Sequence, residues 1–413
     1  MQKEFKNMEI NIVQPEEVEL FVQSMRELQI EDIGGKLWLE SHERLLKLNQ
    51  QAIIETNEGR EEYLKELLII QDKIPVLVHE TYSILVWRTK ILPKLLKQNE
   101  KIEATFFIYT VLYHESTAVS LLETVLFHEN SCEALGDFVI DLIDYCVHGV
   151  TQLIGLSHTS YNQKKTEKKT DLKPLEELEG QQNDLQFGVG MKCITILSYL
   201  SDKISLLSVS AARRLTLTHD VPCLLSEILA LRPWLRRMKS FEKFLDGKWT
   251  PVEGDEILKI AKVEAQTWFC LRSIMFHRET FENYEINSFR QRELGKCSGL
   301  LNDVVLDQLP PLVELKQFLC TLQLSSNTPN NLNSLVLEVI PEVTFRQFFS
   351  IKNLFFIVFL FFFSSRSQIK DKIIEKAKKA GWNNIIERHT KLFVEMNENA
   401  IVEMAKRYEM FHS

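Results

Sequence analysis

Apolar positions recur at helical spacing along most of this chain. In LWLESHERLLKLNQQAII, Trp38, Leu45, Leu48 and Ile53 fall on one face, which predicts a helix within 16–60 with Ser41 as its candidate N-cap. Gly34-Gly35 just before it marks a turn. Two more helical patterns run from Glu61 to Leu96. Pro75 sits where a first helical turn tolerates a missing N–H, Leu77, Val78, Leu85, Val86 and Ile91 are dense enough for a buried helix, and Pro93 breaks or restarts it. ATFFIYTVLYHESTAVSLLETVLFH (104–128) and CEALGDFVIDLIDYCVHGVTQLIGL (132–156) are the most apolar pair. With HENS as the turn between them they predict an αα-hairpin.

The pattern then changes. SHTSYNQKKTEKKTDLKPLEELEGQQND (157–184) is polar and almost free of large apolar residues, so it is expected to be a flexible linker. Helical spacing resumes over 185–245, broken at TLTHDVPCLL. GKWTPVEGDE (247–256) reads as a turn-rich connection, 256–285 and 290–322 as long helices, and 323–334 as a loop. A weak internal echo joins Asp72 to Pro75 and Leu77, Asp220 to Pro222 and Leu224, and Asp307 to Pro310 and Leu312. It describes an acidic entry, a proline in the first turn and then a buried helix. The expected fold is all-α, an armadillo-like stack of helix hairpins. The expected division is an N-terminal helical region 1–156, a linker 157–184, a second helical region 185–343, an anomalous Phe-rich insert 344–368 and a C-terminal helical segment 369–413.

Composition narrows the function classes. The net charge of −8 argues against a nucleic-acid footprint and against anionic lipid. Glycine (14) and proline (11) are scarce, which favours helices. The seven cysteines are scattered without a C-x-x-C pair, so they read as reduced thiols and offer no zinc ribbon or redox pair. MQKEFKNMEINIVQPEE has no apolar core of a secretory signal, so a cytoplasmic protein is expected.

Catalytic chemistry is sparse. Four His-Glu pairs occur: His42-Glu43, His79-Glu80, His114-Glu115 and His128-Glu129. A helical zinc protease site needs H-E-x-x-H, and the fifth positions here are Leu46, Ser83, Ala118 and Cys132. These histidines are therefore expected on helix surfaces or satisfied in the core. Glu123 and His128 diverge by about 140° on one helix, and Cys146 and His148 do not face each other along one. Gly34-Gly35-Lys36 lacks the spacing of a phosphate loop. No catalytic, cofactor-binding or metal-ligating residue is assigned. The alternatives left open are a helical metal-dependent enzyme using His114, Glu115 or His128, and a membrane-associated protein.

A set of motifs carries a more specific likeness. SLLETVLFHENSCEALGDFVIDLIDYC (120–146), THDVPCLLSEIL (218–229), RPW (232–234), GKW (247–249), VLDQLPPL (305–312), LVLEVIPE (335–342), KLNQQAI (47–53) and KIPVLVHE (73–80) together resemble, in order over about 15–342, the zinc finger MYND domain-containing protein 10 family. That resemblance implies an armadillo-like helical body followed by a MYND zinc module. It implies a cytoplasmic adaptor or co-chaperone-like factor for preassembly of axonemal dynein arms, needed for motile cilia, near centrioles or the ciliary base. The implied partners are a leucine-rich-repeat assembly factor, an immunophilin co-chaperone with heat-shock chaperones, and dynein chains as clients, with no nucleic acid and no membrane. The family's cofactor is zinc in the MYND module. No cysteine follows Cys320 here, so no zinc ligand carries over to this chain.

One block departs from the family text. VTFRQFFSIKNLFFIVFLFFFSSRSQ follows the IPE motif, and family-like text resumes at 369–409. The uninterrupted apolar run Leu354–Phe363 would make a helix of about 15 Å, half the thickness of a bilayer core. A core helix or strand is one alternative to a membrane anchor. In-frame translation of a pyrimidine-rich tract is the other, and it accounts best for the Phe-rich text, so about 345–368 is expected to be retained intron or a gene-model error.

Overall fold

The computed structural model describes residues 13–59, 62–98, 105–158, 174–238, 240–324 and 368–395. The Phe-rich block up to residue 367 and the expected helical text after 395 lie outside them. So do the loop after 324 and residues 159–173 of the polar stretch. The described residues are mostly helical, as the spacing predicts, with one small sheet.

The chain folds into two compact units. They are not the consecutive blocks 1–156 and 185–343 expected from the sequence. The first unit takes 1–141, 171–185 and 367–413, and the second takes 142–170 and 186–366.

The first unit contains α1 (Pro15–Ser24), α2 (Lys36–Asn57), α3 (Tyr63–Ile70), α4 (Ile74–Val86), α5 (Leu92–Gln98), α6 (Phe106–Val125) and α7 (Glu129–Glu133). Helix α4 is its centre. IPVLVHETYSILV is buried at every position except the half-buried Val76, because a helix with apolar residues all round must be enclosed. Its polar side chains find partners inside: Thr81 Oγ1 donates to Val78 O at 2.8 Å, and Tyr82 Oη to Asp141 O at 2.7 Å. Helix α6 packs on α4 and on α2.

Pro75 lies in the first turn of α4, as expected. Pro93 has no N–H to offer the carbonyl four residues back. The chain just before it widens into a π turn over Trp87–Ile91, with the Leu92 N–H reaching Trp87 O. Helix α2 begins at Lys36 with Gly35 as N-cap, so Ser41 is not a cap but lies inside the helix. Of its expected apolar face, Trp38, Leu45 and Leu48 are buried, while Ile53 is exposed and Ala52 takes the inner position.

Helices α17 (Gln368–Ala380) and α18 (Trp382–Glu395) return to this unit from the far end of the chain. They bury Ile369, Ile373, Ile385, Ile386 and Phe393. Helix α17 packs on α4, and α18 on α5 and on the short 3-10 turn Ile30–Asp32. The Asp141 carboxylate accepts from the Ile369 N–H at 3.2 Å and so caps the start of α17.

Helix α8 (Phe138–His158) and α9 (Pro174–Asp202) each run from the first unit into the second. Helix α9 corrects the linker expected over 157–184: the chain is helical again from Pro174, and α8 extends to His158. Helix α8 is long and apolar enough to cross a membrane by composition, but 72% of its apolar window is buried within the protein, as in a core helix. In the second unit α8 and α9 touch backbone to backbone. A Cβ on Gly190 would lie 2.8 Å from Leu153 Cβ and 3.1 Å from Gly149 O, and a Cβ on Gly149 would lie 2.6 Å from Cys193 Sγ.

The second unit continues with α10 (Val209–Arg213), a π turn (Arg214–Thr218), α11 (Val221–Leu231), α12 (Lys262–Phe276), α13 (Arg278–Asn283), α14 (Ser288–Leu300), α15 (Asp303–Gln308) and α16 (Val313–Leu324). Helix α11 packs on α12 and α14, and α14 on α16. The acid–proline echo has a backbone meaning at two of its three sites. Asp72 (φ 52) and Asp220 (φ 48) are left-handed just before helices that carry Pro75 and Pro222 in their first turn. An acid side chain tolerates that conformation and turns the chain into the helix.

The all-helical expectation fails between α11 and α12. Strands β1 (Leu235–Arg237), β2 (Phe241–Leu245) and β3 (Lys248–Val252) form an antiparallel sheet in the order β1-β2-β3. The stretch expected as a turn-rich connection is thus largely the third strand. Asp246 and Gly247, both at positive φ (48° and 78°), form the two-residue turn between β2 and β3, with Leu245 opposite Lys248. Phe244 and Trp249 cluster with Phe187 of α9, and the Arg236 guanidinium lies 4.0 Å over the Trp249 ring.

Candidate functional site

Three of the four His-Glu pairs meet in the core of the first unit. Helix α2 supplies His42, α4 supplies His79 and Glu80, and α6 supplies His114, all buried. His42 Nδ1 and His114 Nδ1 share a hydrogen bond at 2.9 Å. The other nitrogen of His114, Nε2, lies 3.1 Å from Glu80 Oε2. The Trp38 indole stacks on His42 (5.4 Å, 7° between planes) and tilts against His114 at 4.8 Å. His79 lies 3.6 Å from Glu80 Oε1 and 3.9 Å from Glu27, which reaches solvent. The arrangement follows from sequence spacing. Trp38 and His42 are one helical turn apart on α2, so their rings stack on the face turned to α6.

Electrostatics fix the roles. Burial alone would push the Glu80 carboxyl up, but the hydrogen bonds and charge of His114 and His79 outweigh it and hold Glu80 at about 2. An ionised carboxylate only accepts, so His114 Nε2 carries the hydrogen between them. Burial and the neighbouring His114 hold the His42 imidazole well below its ordinary range, so it stays neutral. One of the two facing Nδ1 atoms therefore donates and the other accepts.

Glu115 belongs to a separate pair, with Arg88 NH2 donating to its Oε1 at 3.3 Å. His128 meets Glu62 at 2.6 Å near the surface, and Glu123 lies half-buried along α6. Cys146 is buried on α8 and His148 is half-buried two residues on, with no shared face. Among the described residues no group of three or more His, Cys, Asp or Glu could hold a metal ion. None of the seven cysteines forms a disulfide, and six are buried. Gly34-Gly35-Lys36 is a packing device. Gly34 has φ +82°, and a Cβ there would lie 2.2 Å from Phe107 Cε2.

The second unit holds two polar clusters that the spacing analysis missed. Asp144 on α8 accepts from Arg214 Nε (2.6 Å) and NH2 (2.5 Å) and pairs with His219 Nε2 at 2.6 Å. Arg214 and His219 are five residues apart and would diverge by about 140° on an α-helix. The π turn closes instead through the His219 N–H to Arg214 O at 3.1 Å, which brings both side chains to one carboxylate. Next to it in sequence, Asp220 accepts from Tyr284 Oη (2.5 Å) and Arg290 Nε (2.9 Å). The Tyr284 hydroxyl also lies 3.7 Å from Cys223 Sγ. Burial, with the Asp220 charge, raises the Cys223 thiol well above its ordinary range, so it is a poor nucleophile. A signal for the first cluster was present. FVIDLIDYC places Asp141 and Asp144 in an apolar helix, and buried acids require partners.

These clusters tie helices together. The cavity beside Glu80 and His114 measures about 20 Å³, enough for a water and far too small for a substrate.

No family model and no solved structure matches the chain. A curated protein does: the zinc finger MYND domain-containing protein 10 homolog of Drosophila melanogaster is 46% identical over 335 residues, which are 81% of this chain and 74% of the relative. At that identity and coverage, the chain belongs to the zinc finger MYND domain-containing protein 10 family.

Proposed function

We propose that this protein is a cytoplasmic adaptor with co-chaperone-like character in the preassembly of axonemal dynein arms. The observation that carries this reading is the membership of a family for which that role is expected, at 46% identity over most of the chain. Its partners in this reading are a leucine-rich-repeat assembly factor, an immunophilin co-chaperone with heat-shock chaperones, and dynein chains. The helical body is the binding surface, arranged as an armadillo-like stack of hairpins such as α4 with α6 and α11 with α14. The reading assigns no catalysis and no cofactor to the described residues; zinc enters through the MYND module of the family. The helical enzyme using His114, Glu115 or His128 gains no support from side chains engaged in core hydrogen bonds and ion pairs.

Removal of the gene from a multiciliated cell tests the reading. Cilia should still be built but fail to beat, with outer and inner dynein arms missing in cross-section and dynein heavy chains depleted from the axoneme. Normal beating in a complete knockout would overturn it. Affinity capture of the tagged chain from ciliating cells should recover the assembly factor and the co-chaperone, and capture of neither would remove the adaptor role.

A further inference from the structure

Arginine three residues before a hydroxyl is a chemical address. Serine/threonine kinases of the arginine-directed class hold their substrates extended, and carboxylates in their clefts grip the guanidinium fork. Two serine or threonine residues of this sequence stand in that relation to an arginine: Thr216, after Arg213, and Ser240, after Arg237. The structure separates them.

Thr216 is only 3% exposed, and its Oγ1 donates to Ala212 O at 2.9 Å within the π turn Arg214–Thr218. Ser240 lies in the turn between β1 and β2, where the Met238 N–H donates to Ser240 O at 3.0 Å. It is half-buried, and among the described residues nothing bonds its hydroxyl. Arg236 is committed, with its guanidinium 2.6 Å from Glu242 and 4.0 Å over the Trp249 ring. Arg237 is not: it is exposed, makes no ion pair among the described residues, and lies 5.3 Å over the Phe241 ring. Arg237 opposite Phe241 is also the last rung of the β1–β2 ladder. Strand β1 is three residues long and pairs with β2 alone. That rung can fray while β2 stays held by β3, which presents the turn with Arg237 and Ser240 in extended form.

We propose that Ser240 is a phosphorylation site for an arginine-directed serine/threonine kinase. In the transfer the bond from the γ-phosphorus of ATP to its bridging oxygen breaks, and a bond from that phosphorus to Ser240 Oγ forms. ADP leaves, and the hydroxyl proton passes to a base of the kinase. The product adds a charge of about −1.5 to −2 at neutral pH to a turn that carries an unpaired guanidinium. The mark therefore offsets the positive charge of the hairpin tip and gives Arg237 an acceptor it now lacks.

The test uses the full chain, calcium/calmodulin-dependent protein kinase II as an arginine-directed probe, and magnesium-ATP, with the acceptor mapped by mass spectrometry of the digested product. Phosphate is expected on Ser240 and not on Thr216. Ser240→Ala should abolish that mark, and Arg237→Gln should slow it about tenfold or more. A synthetic peptide of residues 234–244 should be phosphorylated as well. A peptide that is modified beside a folded chain that is not would show that the hairpin withholds the hydroxyl, and would overturn the proposal. Equal modification of Thr216 would overturn the selection by burial. Phosphoserine at position 240 should also be found in the chain isolated under phosphatase inhibition from cells that express it, and its absence there would refute the site.

Discussion

Gly188 and Gly190 lie two residues apart on α9, and the same substitution should act on them with opposite sign. An alanine in a helix interior is favoured over glycine by about 1 kcal/mol. At Gly188 nothing lies within 4 Å of the new methyl group, so Gly188→Ala should gain up to that amount. At Gly190 the methyl group would meet Leu153 Cβ at 2.8 Å and the Gly149 carbonyl at 3.1 Å. Neither is the free end of a flexible side chain, so α8 and α9 must move apart. Overpacking of this kind costs about 1–3 kcal/mol. The propensity gain offsets part of it, leaving Gly190→Ala less stable than wild type by up to roughly 2 kcal/mol. The two variants should therefore differ by roughly 1–3 kcal/mol, the overpacking cost alone, on chemical denaturation followed by far-ultraviolet circular dichroism. Tryptophan emission would serve as the second probe, because two compact units need not unfold together. Equal midpoints, or a Gly190→Ala more stable than wild type, would refute the close backbone approach of α8 and α9.

Three further outcomes follow from buried polar groups. The protein should lose stability in acid in two stages. Burial holds His389 at about 4 against an ordinary 6.5, so the unfolded chain binds the extra proton and stability falls as pH drops from about 6.5 to 4, by up to about 3 kcal/mol. Glu80, held at about 2 against 4.5 by its histidine neighbours, adds a second loss as pH falls from 4.5 to 2. A flat stability profile from pH 7 to 4 would contradict the burial of His389, and a flat one from 4.5 to 2 the pairing of Glu80. Asp144→Asn weakens the bonds from Arg214 and His219 and leaves a half-buried guanidinium without its buried counter-charge. It should cost about 3–5 kcal/mol, seen as a lowered melting temperature, and an unchanged one would refute the clamp. Trp249→Ala removes the ring that Arg236, Phe187 and Phe244 pack against, so amides of β2 and β3 should lose hydrogen-exchange protection while those of α4 keep theirs.

The helices were legible where apolar residues repeat without competition. Residues 74–86 and 106–125 are clear cases, because a largely enclosed helix carries apolar residues on every side. The sheet was not, although Asp246-Gly247 is a hairpin signal. FEKFL carries large apolar residues at its first, fourth and fifth positions, a spacing that suits a helix as well. Helix α9 was hidden by its first turns, EELEGQQND, where Leu178 is buried among polar neighbours and the apolar continuation supplies most of the support. The histidine cluster was half legible. The residue types were visible on three helices, but only tertiary packing brings His42, Glu80 and His114 within hydrogen-bond reach. Arg214 with His219 defeats any reading at α-helical period, since the π turn changes the period itself.

The return of α17 and α18 to the first unit bears on how the protein is made. A chain leaves the ribosome from its N-terminus, and domains generally close as soon as their last segment emerges. The described part of the second unit ends at residue 324, whereas the first needs residues 368–395 to cover α4 and α5. The part synthesised first is therefore finished last, and α4 waits with its apolar surface uncovered while roughly 280 residues are added at 5–20 per second. Uncovered apolar surface of that kind is aggregation-prone, and a stop codon anywhere before Gln368 would leave the first unit permanently in that state.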